Sequence, residues 1–158
     1  MNVKMTLEKQ IIDDEARIFI SGNIDEDSDF SEIMELGVKK YVFDFAKVTM
    51  LNSCGIREWI LLIDKLGENA NIRYKNCPQI VIEQMGMVYG FIKKEARIES
   101  FYAPYFCSDC DEEQKILLEA KDIKDQKAPS VNCKKCGMEM EFDEIEEQYF
   151  SFMKNMEW

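Results

Sequence analysis

Six cysteines in 158 residues fall in a pattern that few folds accommodate. Cys107-Ser-Asp-Cys110 and Cys133-Lys-Lys-Cys136 are two C-x-x-C pairs with 22 residues between them. A tight turn brings two thiolates at that spacing together, with backbone N–H groups pointing at the sulfurs, and two such turns complete a tetrahedral four-sulfur shell with no open position. Gly137, directly after Cys136, suits the positive φ such a turn often needs. The pattern predicts a structural zinc site with Cys107, Cys110, Cys133 and Cys136 as ligands. Iron, which takes a similar thiolate set, is the second choice. Disulfides are the competing use of these thiols, and a reducing cytosol disfavours them.

The segment around these cysteines, from about Pro104 to Trp158, is too small to bury a large core, and fragments of that size commonly need a metal staple. Two units are therefore expected, residues 1–102 and residues 103–158. In the second, Met138, Met140 and Phe142 alternate with polar residues, and Ile116, Leu118 and Ala120 do so less cleanly. The stretch Asp122 to Asn132, interrupted by Pro129, reads as a surface loop. A closing helix is predicted from Asp143 and Glu146, spaced as a capping box, followed by Ile145, Tyr149, Phe152 and Met156 at 4-3-4 spacing. That stripe serves either core packing or, as the competing reading, a dimer seam or a partner-binding helix.

Composition removes several function classes. With no histidine in the chain, Ser-His-Asp and Cys-His nucleophiles and imidazole-bound metals are impossible. Neither common phosphate-binding loop, G-x-x-x-x-G-K-[S/T] or G-x-G-x-x-G, occurs among the seven glycines. The net charge of −11 repels nucleic acid and anionic lipid, and residues 102–158 alone carry −7. The longest apolar run, Trp59 to Ile63, is five residues, so no membrane span is expected. Met1 to Gln10 lacks the apolar stretch of a signal peptide, which makes the cytosol the expected compartment. No carboxylates pair in a recognisable acid–base arrangement, so an enzyme is not expected.

The first hundred residues alternate strands and helices. Val3, Met5 and Leu7, then Ile18 and Ile20, mark two strands joined at Asp13-Asp14 as an antiparallel pair. Asp29 to Leu36 reads as a short helix stopped by Gly37, and Tyr41 to Phe45 as a buried central strand. Ile56, Trp59, Ile60, Ile63 and Leu66 share one face of a helix that Gly67 ends. A strand near Ile72 to Lys75 follows, then a helix opened by Pro78 with Val81, Met85 and Val88 inward, then a strand near Ile98 to Tyr102. The fold class is α/β: a mixed sheet with packed helices, plus a small zinc ribbon ending in an α-helix.

This order, with Asp44-Phe45 at the end of a hydrophobic run and Asn52-Ser53-Cys54-Gly55-Ile56 opening a helix, resembles the STAS domain, the fold of bacterial anti-sigma-factor antagonists. The resemblance covers about residues 1–102. It implies a regulatory protein-binding module whose partner is a serine kinase that doubles as an anti-sigma factor. It also implies a phosphoacceptor serine, which maps to Ser53, in a binding surface containing Asp44, Asn52, Cys54, Gly55 and Arg57. Asn52 stands where the family has Asp, and Cys54 where it has a second Ser. From the residues alone, Ser53 is either a helix N-cap or, if Asn52 caps instead, a free hydroxyl. Cys54 in a first helical turn is better read as a packing residue than as a reactive thiol, because no histidine can serve as its base. The alternative function is a constitutive scaffold or homodimer built on the ribbon.

Overall fold

The structure, a computed structural model, describes residues 3–88, 90–92 and 96–155. Strands β1 (Thr6–Ile12) and β2 (Glu15–Ile24) form the expected antiparallel hairpin, with Ile12 opposite Glu15. Asp13 turns the chain at φ 58°, a conformation its short polar side chain tolerates. Helix α1 (Ser31–Met34) leads to β3 (Lys40–Leu51), helix α2 (Ser53–Leu66) to β4 (Asn71–Lys75), and helix α3 (Gln79–Met87) to β5 (Arg97–Ile98). From β2 onward each pairing in this sheet is parallel, giving a five-stranded mixed sheet in the order β1-β2-β3-β4-β5. The α/β class is as read from the sequence.

Strand alternation decides which face is covered. Ala16, Ile18 and Ile20 of β2, Tyr41, Phe43 and Phe45 of β3, and Ile72 and Tyr74 of β4 are buried. Trp59 of α2 stands edge-on to Phe43 at 4.8 Å, Phe45 at 5.2 Å and Phe30 at 5.4 Å. The buried face of α2 differs slightly from the predicted one: Leu62 is covered, whereas Ile60 and Leu66 are half-buried. Gly67 closes the helix at φ 86°. Among the described residues no helix is long and apolar enough to cross a membrane.

Strand β6 (Ser100–Cys107) leaves this sheet and builds a second. Its start runs parallel beside Cys77, with Cys77 N–H donating to Ser100 O and Tyr102 N–H to Cys77 O. It then pairs antiparallel with β7 (Glu112–Glu119) and with the short β8 (Glu141–Phe142), in the order β7-β6-β8. Residues 102 and 103 both lie within β6. Phe101 packs edge-on to Phe150 at 6.0 Å and Phe152 at 5.2 Å, so the core is continuous from the first sheet to Met153.

The chain closes with α4 (Glu146–Tyr149), which tightens into a 3-10 helix over Phe150–Asn155. The expected capping box is absent. Ile145 holds the cap position without a side-chain bond, and the Glu146 carboxylate instead accepts the Ala128 N–H at 3.0 Å. Because a 3-10 helix turns every three residues, the 4-3-4 stripe is not kept. Tyr149, Phe150, Phe152 and Met153 are buried, Ile145 is exposed, and Met156 lies outside the described residues.

Candidate functional site

Two places concentrate chemistry, one at each end of the molecule's sequence logic. The first is sulfur. Cys107 is the last residue of β6, and a turn ending in Asp111 (φ 53°) brings Cys110 back beside it. The second pair sits in a turn where Gly137 N–H donates to Cys133 O at 2.9 Å, with Gly137 at φ 79°. All four Sγ atoms lie within 4.8 Å of one another. Cys107 Sγ is 3.5 Å from Cys136 Sγ, and Cys110 Sγ is 3.9 Å from Cys133 Sγ. Sulfurs 2.3 Å from a central tetrahedral zinc would be about 3.8 Å apart. A disulfide would hold two of them at about 2.05 Å. The observed separations fit a metal shell, and both of these approaches run between the two pairs.

Donors gather on these sulfurs unevenly. The N–H of Cys110 points at Cys107 Sγ, while the Lys135 N–H and the Gln114 side-chain amide both reach Cys133 Sγ at 3.4 Å. Backbone N–H groups of Cys136 and Lys135 thereby bring the Cys133 thiol down to about 6. Cys110 goes the other way, to about 12, because its proton is shared with Cys136 and Cys107. Cys107 and Cys133 are buried, Cys110 is half-buried and Cys136 faces solvent. The four cysteines can therefore hold a metal ion as a set.

The second place is the start of α2. Asn52, extended at φ −115°, is the N-cap: its Oδ1 accepts the Gly55 N–H at 2.9 Å. Its amide donates to Glu26 Oε2 at 2.8 Å, which lowers the Glu26 carboxyl below its usual range. Asn52 N–H also donates to Ile24 O, so the helix starts against the end of β2. Gly55 is required by that contact, since a Cβ there would lie 2.2 Å from Ile24 O. With Asn52 capping, Ser53 is exposed and its hydroxyl makes no hydrogen bond among the described residues. Cys54 and Arg57 are exposed beside it.

A groove of about 560 Å³ opens between α2 and α3. Leu51, Ile56, Ile60 and Val88 give it apolar walls, and Ser53 and Arg57 also line it. Arg57 forms no ion pair among the described residues. Of the residues singled out in the sequence, Asn52, Ser53 and Arg57 line this groove, while Gly55 is buried against Ile24 and Asp25. Asp44 is not brought there. It lies within β3 on the sheet face away from the helices, accepting from Asn76 Nδ2 at 2.8 Å and from Ala46 N–H at 2.9 Å. β3 continues past it to Leu51 rather than ending at Phe45. Sequence reasoning missed Leu51, Leu61 and Gln84 as groove residues, and assigned Ile56, Ile60 and Val88 wholly to the core. Only Leu61 left a local signal, as an apolar residue off the face shared by Ile56, Trp59 and Ile63.

No family model matches the chain, and no curated protein matches it. Among solved structures, one similar chain is the crystal structure of an anti-sigma factor antagonist from Mycobacterium paratuberculosis. It shares 19% identity over 49% of this chain and 71% of that chain, with a TM-score of 0.42. An overlap of that kind records a likeness and nothing more.

Proposed function

We propose that the chain is a non-catalytic regulatory module that docks a protein partner in the groove at the start of α2 and is switched by phosphorylation of Ser53 by a partner serine kinase. The observation that carries this reading is the capping role of Asn52. It leaves the Ser53 hydroxyl in solvent on the wall of an apolar groove, so a phosphate added there displaces no contact of the fold. Arg57, one turn along on the same face, offers that phosphate a counter-charge. A dianion on the wall of an apolar groove opposes a partner whose facing surface is apolar or acidic. In this reading residues 1–102 are the STAS-like docking unit, and residues 103–158 are a ribbon held by zinc on Cys107, Cys110, Cys133 and Cys136. The partner is a protein rather than nucleic acid, given the −11 charge, and the setting is the cytoplasm.

The test is recovery of the protein from its own cells, with its bound partner and with phosphosite mapping. Modified Ser53, and weaker partner binding by Ser53→Asp at unchanged melting temperature, are the expected results. Equal affinity of the wild type and the Asp variant for the recovered partner would remove the switch. An unmodified Ser53 in a stable homodimer would favour a constitutive scaffold instead.

A further inference from the structure

We infer that Gln114 is a positioning residue of the four-sulfur centre: its side-chain amide donates to the Cys133 thiolate and sets how tightly the metal is held. This rests on reading the four cysteines as a metal site. Strand β7 contributes no sulfur, yet it reaches the second cysteine pair twice from one face. Gln114 Nε2 lies 3.4 Å from Cys133 Sγ, and two residues earlier Glu112 Oε2 lies 2.6 Å from Lys135 Nζ. The strand register explains the reach, because Glu112 pairs with Cys107 and Gln114 with Tyr105 across the hairpin. The β7 face thus lays the second cysteine turn over the first, and it does so through side chains rather than through the turn backbone.

The chemistry gives this contact a consequence beyond packing. Four thiolates around a divalent ion leave a net charge of −2 on the cluster, and every N–H aimed at a sulfur draws some of that charge away. Two of the donors, Cys110 N–H and Lys135 N–H, come with the turns themselves and survive any side-chain change. Gln114 is the one side-chain amide that donates to these sulfurs among the described residues. A neutral amide suits the place because it donates without adding charge. A carboxylate there accepts only, and adds a like charge beside the cluster.

The experiment uses the full chain, loaded with zinc or with cobalt(II). Affinity is read by competition with a chromophoric chelator, and the sulfur-to-cobalt charge-transfer band by absorption. Gln114→Met keeps the length without the donor, and should weaken zinc binding about 10-fold. Gln114→Glu should approach 100-fold. Gln114→Lys restores a donor and should fall closer to wild type than the Met variant. In the Met variant the cobalt band should move to longer wavelength, because a sulfur without its donor gives up charge more easily; a merely structural role would leave the band in place. Met and Glu variants within two-fold of wild type, with the band unmoved, would overturn the assignment while leaving the metal site intact. A wild-type chain that takes up neither ion would overturn both.

Discussion

Beneath α2 the first sheet is held by aromatic packing, with Trp59 wedged among Phe30, Phe43, Phe45 and Tyr74. The second sheet has aromatic packing as well, with Phe142 against Tyr105, Tyr149 and Phe150, but beyond Tyr105 its tip gathers on four sulfurs while Met138 faces solvent. The two regions spread their stabilisation differently. Apolar burial divides it among many side chains, so each loss costs a fraction. An ion shared by the four sulfurs would place it in one centre, so its loss would free that tip at once.

That contrast is broken most directly by taking the metal away. Zinc-finger peptides gain about 10–16 kcal/mol of apparent binding energy, so chelation, or Cys133→Ser, should strip hydrogen-exchange protection first from the Glu112 end of β7, beside the sulfurs, while β2 and β3 keep theirs. Unchanged melting and circular dichroism in a metal-free chain would erase the distinction. Next in size is Trp59→Ala, expected to cost about 3–5 kcal/mol in denaturant titration and to loosen the first sheet without changing zinc affinity. Gly55→Ala should cost about 1–3 kcal/mol, because the added methyl meets the Ile24 carbonyl rather than a movable side chain. The smallest pair is the most specific. Asn52→Ala should lose about 1 kcal/mol with its cap, whereas Ser53→Ala should change stability by less than about 0.5 kcal/mol. A reversal of that order would make Ser53 the cap.

Much of this arrangement is legible in the residues, and the exceptions have physical causes. The hairpin at Asp13-Asp14, the central strand at Tyr41, helix α2 with its Gly67 stop, and the four metal-binding candidates each follow from a local period or spacing. β3 extends to Leu51 through Ala46 to Met50, where alternation is lost because two register shifts against β2 interrupt the pleat. The closing helix departs from its 4-3-4 spacing because it tightens after Tyr149, where the α-helical period ends. The groove was half visible: Asn52 and Ser53 belong to one motif, but Gln84 and Val88 join them only through the crossover that lays α3 beside α2. Gln114 gave no signal, being one polar residue in the run Glu112-Glu113-Gln114-Lys115, which looks like any solvated strand face.

Strand β6 begins hydrogen-bonded to Cys77 and finishes at Cys107, a sulfur of the cluster. It works as a tie-rod. Slack at its cysteine end would pass through Tyr105 and Phe142 to the place where Phe101 meets Phe150 and Phe152, the joint that seats these turns beside α3. Cutting the chain after residue 102 would sever that rod in mid-span and strip an aromatic lining from the piece left behind.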